Sequence, residues 1–265
     1  MDKKVAIVTG GTSGIGRATA LALQENGYTV YELSRRADGM PDIRHIVADI
    51  TKEDTLQAAV AQVLAAEGHI DLVVNNAGFG ISGAIEFTDT QEAQRLFDTL
   101  FFGMVRMNRC VIPLMRQQGH GRIVNISSVA APVPIPFQAY YSAGKAAINA
   151  YTMALANELR PFGITVCAVM PGDIKTGFTA ARKKIIDGDD IYQGRIGRSV
   201  QRMEHDEQTG MDPAKVGRYI ASVARRENNR HPLYATRIDY KFFVFLTKVL
   251  PARFLNWLIY QLYGK

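Results

Sequence analysis

Cysteine is almost missing from this chain. Only Cys110 and Cys167 occur, each inside an apolar run, which excludes a disulfide framework. The five histidines are scattered without metal-ligand spacing, so no metal is expected. No long block of one charge sign is present, although Lys and Arg outnumber Asp and Glu by 31 to 25. Nucleic acid is therefore not the expected partner, and a nucleotide phosphate accounts for part of the +6 excess. The chain also lacks an apolar run of the ~20 residues that a spanning helix needs. Met1-Asp2-Lys3-Lys4-Val5 has no secretory signal character. Linkers, repeats and low-complexity stretches are missing too. What remains, 265 residues at 47% hydrophobic and 21% charged, reads as one cytoplasmic domain over 1–265.

The residues present alternate between two patterns. Val5-Ala6-Ile7-Val8-Thr9 is a short continuous apolar run, typical of a buried parallel strand. Glycines at 10, 14 and 16 follow, then a helical run from Arg17 to Leu23. Strand, glycine turn and helix N-terminus together make a cradle for a pyrophosphate. The spacing is not the common G-x-G-x-x-G, and a plain strand-to-helix turn would look similar. A second strand, Tyr28 to Leu33, runs into Ser34-Arg35-Arg36. A carboxylate placed there would hold the ribose 2′-hydroxyl of NAD, whereas guanidinium pairs with a 2′-phosphate, so NADP(H) is favoured. Read alone, Arg36 would be an ordinary solvated loop residue.

Strands are further expected at Ile43–Ala48, Ile70–Val74, Gly121–Ser127 and Ile164–Met170, with helices at Glu53–Glu67 and Thr90–Gln118. This alternation predicts an α/β fold with a doubly wound parallel sheet, helices on both faces and ligands at the carboxyl ends of the strands. The next helix, from about Tyr140 to Arg160, carries the chemistry. Tyr141 and Lys145 stand four apart on one face, with Tyr140 about 100° round the barrel. An ammonium beside a phenol is expected to lower a pKa that starts near ~10. An incidental lysine is the plainer reading for an isolated pair of this kind.

Taken together, Thr9-Gly10-x3-Gly14-Ile15-Gly16, Asn75-Asn76-Ala77-Gly78, Ser128, Tyr141-x3-Lys145 and Pro171-Gly172-Asp173-Ile174-Lys175-Thr176 resemble the short-chain dehydrogenase/reductase family. The resemblance runs from residue 3 to about 178. It implies a Rossmann sheet of about seven strands, with Leu233–Ile238 as the seventh. It implies Tyr141 as general acid/base and Ser128 as the hydrogen-bond donor to the substrate carbonyl. Lys145 would hold the nicotinamide ribose, and Asp49 would contact adenine. Asn76 to Gly78 would line the adenosine ribose, and Ile174 and Thr176 would fix the carboxamide. The implied cofactor-binding set is Gly10, Thr12, Ser13, Gly14, Ile15, Gly16, Ser34, Arg35, Arg36, Asp49, Ile50, Asn76, Ala77, Gly78, Tyr141, Lys145, Pro171, Gly172, Ile174 and Thr176. One position departs from the family: Leu100 stands where an asparagine usually anchors a water of the proton relay. Leucine cannot hydrogen-bond. A backbone carbonyl or Thr99 then holds that water, or the enzyme is slow.

Phe79 and the proline-bearing run Ala130–Phe137 are expected to rim an apolar pocket, which suits a hydrophobic alcohol or ketone. The highly charged segment 178–210 is expected to form a mobile lid. The tail, 240–263, is rich in Phe, Leu and Trp and broken at Pro251. It fits a helix packed on the protein's own core or lid, a subunit contact, or a peripheral membrane anchor, and the first is the commonest fate of such a stripe. The sequence thus predicts an NADP(H)-dependent oxidoreductase acting on a steroid-like or lipid-like ketone, as a homodimer or homotetramer. The alternatives are a 3-oxoacyl-thioester reductase and a cofactor-sensing protein with weak activity.

Overall fold

Five strands of the computed structural model run through apolar, largely β-branched segments, and that composition leads them to stack into one sheet. The structure describes residues 3–226 and 231–265. Met1 and Asp2, the start of the N-terminal run read above, lie outside them, as do residues 227–230. The elements in order are β1 (Val5–Thr9), α1 (Gly14–Glu25), β2 (Thr29–Ser34), β3 (Arg44–Val47), α2 (Glu53–Glu67), β4 (Leu72–Asn75) and β5 (Ile81–Ser82). Then come α3 (Thr90–Phe97), a π-helical turn at Asp98–Phe102, α4 (Gly103–Gln118), β6 (Gly121–Ile126), α5 (Ala139–Glu158) and β7 (Ile164–Met170). The last part holds α6 (Phe178–Ala181), β8 (Lys183–Lys184), α7 (Arg195–Gln208), α8 (Pro213–Ala224), β9 (Leu233–Ala235), α9 (Ile238–Val249) and α10 (Ala252–Ile259).

Seven strands form the main sheet in the order β3-β2-β1-β4-β6-β7-β9, all parallel. The strand order reverses between β1 and β4, which opens the crevice where ligands dock in such sheets. Side chains alternate across the pleat. Ala6 and Val8 pack with α1 and α8 on one face, and Val5 and Ile7 with α2 and α4 on the other. Each face therefore carries its own fully buried core, and a residue such as Ile7 contributes about 1.5–3 kcal/mol by its burial. This is the doubly wound Rossmann arrangement.

Helix ends follow their local chemistry. Asp89 caps α3 by accepting from the Gln91 N–H at 2.8 Å. Asp212 does the same for α8, where Pro213 sits at the first helical position. Two expectations need correction. The long helix Thr90–Gln118 is not continuous α-helix, because a π-turn interrupts it at Leu100. The seventh strand stops at Ala235, since Arg237 and Ile238 turn into α9. Within segment 178–210, β8 pairs with β5, and Lys183 and Lys184 are tied to Glu92 and Glu204. No helix among the described residues is long and apolar enough to cross a membrane.

Candidate active site

The glycine turn sits at the end of β1 because only glycine tolerates its geometry. Gly10 and Gly14 have φ of 66° and 53°. A Cβ at Gly16 would run into the Gly10 carbonyl and the Asn76 amide. Asn76 spends its side chain on the turn, donating from Nδ2 to the carbonyls of Thr9 and Gly10 at 3.1 and 3.2 Å. Thr9 Oγ1 accepts from the N–H groups of Asn76 and Ala77. The turn and the end of β4 are thus one braced unit.

From this unit a single cavity of about 320 Å³ leads to the ends of β6 and β7. Ser13, Gly14, Ile15, Arg36, Asn76, Gly78 and, against Gly14, Thr176 line the glycine-turn end. Ser128, Tyr141, Lys145, Pro171, Gly172 and Ile174 line the rest. The remaining residues expected on the cofactor side, among them Thr12, Arg35 and Asp49, lie outside its wall. Ser34 Oγ is buried at the end of β2, on the same side as the Glu32 carboxylate. Asp49 Oδ1 accepts from the N–H and hydroxyl of Thr51 at 2.9 and 2.8 Å. Burial pushes its carboxyl up, but those bonds together with Arg35 and Lys52 outweigh burial and hold it below its ordinary value. Ile50 packs against α4 at Gly103. Phe79 does not rim the pocket; the Arg95 guanidinium covers its ring at 4.7 Å.

Behind the arginines lies a buried pair. Glu32 on β2 is fully buried, and its carboxylate meets Nδ1 of His45 on β3. His45 Nε2 faces the Arg36 carbonyl at 3.0 Å. Burial raises the Glu32 carboxyl, while His45, Ser34 and the Gly11 N–H pull it down.

At the other end, Ser128 Oγ accepts from the Ala130 N–H at 3.1 Å, which leaves its own hydrogen free to donate. Lys145 Nζ donates to the Ile126 carbonyl at 2.7 Å and stands 5.6 Å from the centre of the Tyr141 ring. The expected lowering of the phenol by this lysine is not found. Burial pushes Tyr141 up to about 12, against the pull of Ser128 and Arg182. Burial also pushes Lys145 down to about 7. Both shifts have one cause: the two groups share a desolvated wall with no ionic partner for the ammonium.

The lysine shift makes the stability of the ligand-free protein depend on pH. Between about pH 7 and 10.5 the unfolded chain holds a proton on this lysine that the folded one lacks, so stability rises with pH across that window. The slope is at most about 1.4 kcal/mol per pH unit. Lys145→Met is expected to remove this contribution. Melting curves of both proteins taken from pH 7 to 10 check it, and parallel pH trends would contradict it.

Leu100 is 3% exposed and packs with Ile81, Leu96, Ile185 and Tyr141. Its methyls lie against Gly78 and Gly144. The void beside it, bounded by Asn75, Leu100 and Ile126, measures about 10 Å³, the lower limit for one water. An asparagine amide here would give up methyl contacts with Gly78 and Gly144 and sit largely among Ile81, Leu96 and Ile185. Leu100→Asn is therefore expected to cost about 1–3 kcal/mol of stability without raising kcat. Melting temperature and kcat measured on one preparation check this, and a stable variant several-fold faster would identify Leu100 as a catalytic defect.

Two acidic cavity residues were given no role by the sequence reading, Asp173 and Glu207. Glu207 pairs with the buried Arg182 and accepts from Thr179 Oγ1 at 2.6 Å. Its signal was available: it continues the stripe Ile196, Val200, Met203 that α7 buries. Asp173 is raised by burial, with Tyr240 bonding to it against that trend.

Residues 4–186 match the short chain dehydrogenase family. The chain is 37% identical to the 3-ketodihydrosphingosine reductase of Bacteroides thetaiotaomicron over 261 residues, 97% of this chain and 94% of that protein. A short-chain dehydrogenase from Streptomyces avermitilis superposes with a TM-score of 0.82 at 33% identity, covering 92% of each chain. The 3-ketoacyl-(acyl-carrier-protein) reductase of Brucella melitensis, solved with NADH, gives 0.74 at 27% identity over 88% of this chain and 96% of that one.

Proposed function

This chain belongs to the short-chain dehydrogenase family of oxidoreductases, and we propose that within it the protein is an NADP(H)-dependent reductase of a long-chain, lipid-like ketone. The observation that carries this reading is the single cavity joining the glycine turn to Ser128, Tyr141 and Lys145. The glycine cradle and Arg36 in the wall fit a dinucleotide bearing a 2′-phosphate. The likeness to a 3-ketodihydrosphingosine reductase along nearly the whole chain supports a lipid-like ketone over a sugar or a steroid.

A nicotinamide cofactor, when bound, supplies the hydride that the carbonyl carbon accepts. The chain's own residues do the rest. Ser128 donates its free hydrogen to the carbonyl oxygen and so orients it. Tyr141 holds its proton at neutral pH and passes it to the oxygen as charge develops there. Lys145, anchored on the Ile126 carbonyl, loses and regains a proton near neutrality and restores the phenol. Ile135, Phe178 and Ala181 keep water from the reacting carbon.

The test is NADPH oxidation by the purified protein with 3-ketodihydrosphingosine, a steroid ketone and a 3-oxoacyl thioester. The long-chain ketone is expected to give the highest kcat/KM. A clear preference for the thioester would favour the acyl-reductase reading, which the Brucella likeness keeps in view. No turnover with any of the three would remove the enzyme reading.

A further inference from the structure

The C-terminal segment packs on the protein along one side only: the inner face of α9 meets the core, and Ile259 and Tyr263 are held against the molecule, Tyr263 beside Ile196, Val200 and Met203 of α7. The inner face of α9 carries Tyr240, which is buried and donates to the Asp173 carboxylate, and Val244, which packs beside Met170 and Ala235. The outer face carries Ile238, Phe242, Phe245 and Val249, exposed by 82, 59, 55 and 55%. Their spacing of four, three and four residues draws one continuous apolar stripe along the helix. On α10, Phe254 and Trp257 stack on each other with centroids 5.8 Å apart, and both remain about half exposed. Water is a poor partner for a patch of this size and make-up.

Charge identifies the partner. Lys241, Lys248, Arg253 and Lys265 stand on this segment against a single acid, Asp239, which is already paired with Arg237. A second copy docking through the same face by two-fold symmetry would bring these cations together with no acid to meet them. An anionic lipid surface neutralises them instead. We propose that α9 and α10 lie flat on an anionic membrane surface, with the aromatic stripe at the headgroup boundary and the cations among lipid phosphates. The break at Pro251 leaves two short helices, each too short to span.

The arrangement also links the membrane to the pocket. One helix faces lipid on its outside and, through Tyr240 and Asp173, the cavity wall on its inside. A lipophilic ketone held in the bilayer is thereby delivered beside its reaction site; this last point rests on the substrate reading above, whereas the docking does not.

Sedimentation of the full chain with vesicles of phosphatidylcholine, with and without phosphatidylglycerol, tests the proposal. The three cations on α9 and α10 themselves, Lys241, Lys248 and Arg253, worth roughly fivefold each, predict partitioning about a hundredfold tighter on the anionic vesicles, weakening as salt is added. The variant with Phe242→Ser, Phe245→Ser and Trp257→Ser is expected to lose vesicle binding while keeping its melting temperature. Wild-type protein that ignores both vesicles, or binds them equally, overturns the proposal. So does a stable dimer in light scattering that the triple variant splits. Vesicle binding without turnover of any long-chain ketone would sink the substrate reading and leave the docking intact.

Discussion

Tyr141→Phe is expected to lower kcat by about 10²–10⁴-fold, the usual contribution of general acid–base catalysis, while NADPH still binds. Tyr140→Phe is expected to retain most activity. The asymmetry follows from position on α5. Tyr141 lines the cavity beside Ser128 and stacks at a tilt on Phe178, 5.8 Å between centroids. Tyr140 is one residue away yet outside the cavity wall, and it packs among Ile81, Leu96 and Leu100. Fluorescence titration with NADPH and steady-state rates on both variants separate binding from chemistry. If the Tyr140 variant were the inactive one, the acid would be misassigned. If neither changed the rate, the proton would come from elsewhere.

Arg35→Ala and Arg36→Ala are each expected to weaken NADPH binding by about ten- to a hundredfold and to leave NADH almost unchanged. Losing a charge-assisted contact to phosphate costs roughly 1.5–3 kcal/mol, and each 1.4 kcal/mol is about tenfold in affinity. The sequence pointed first to Arg35. The structure puts Arg36 in the cavity wall and Arg35 beside Asp49, so the larger loss is expected at Arg36. Calorimetry with both cofactors checks this. Equal losses for NADPH and NADH would show that the arginines hold something common to both, and the preference would need another origin.

Much of this was open to a reader of the bare sequence. The helix Glu53–Glu67 and the strand Ile164–Met170 end where expected, because their limits coincide with changes in pattern: acidic residues open the first, and glycine at 68 in the left-handed region closes it. The doubly wound parallel sheet followed from strand–helix alternation. The π-turn did not, since Asp98-Thr99-Leu100-Phe101-Phe102 carries no residue that demands the extra backbone width. The tail packs on the core and on α7 as expected, but which of its faces stays exposed was not legible, for a different reason. Periodicity shows that α9 has an apolar stripe, but Tyr240 and Val244 form a second one opposite, and only the tertiary fold decides which of them meets the core. Glu207 was lost in a charged run whose buried side becomes visible only when its own stripe is traced.

The Glu32–His45 contact bears on how tightly any ligand at the end of β2 can be held. Loops that grip a phosphate are commonly floppy beforehand, and fixing each residue's backbone removes about 1–2 kcal/mol of conformational freedom at the moment of binding. Here the Arg36 carbonyl is clasped from behind by an imidazole whose other nitrogen rests on a buried carboxylate, and that carboxylate in turn engages the glycine turn. The Arg36 loop and the glycine turn, which together form one end of the crevice, are anchored on one pair, so their ordering is completed when the chain folds. A nucleotide docking against Arg36 meets a preorganised surface and keeps more of its contact energy as affinity.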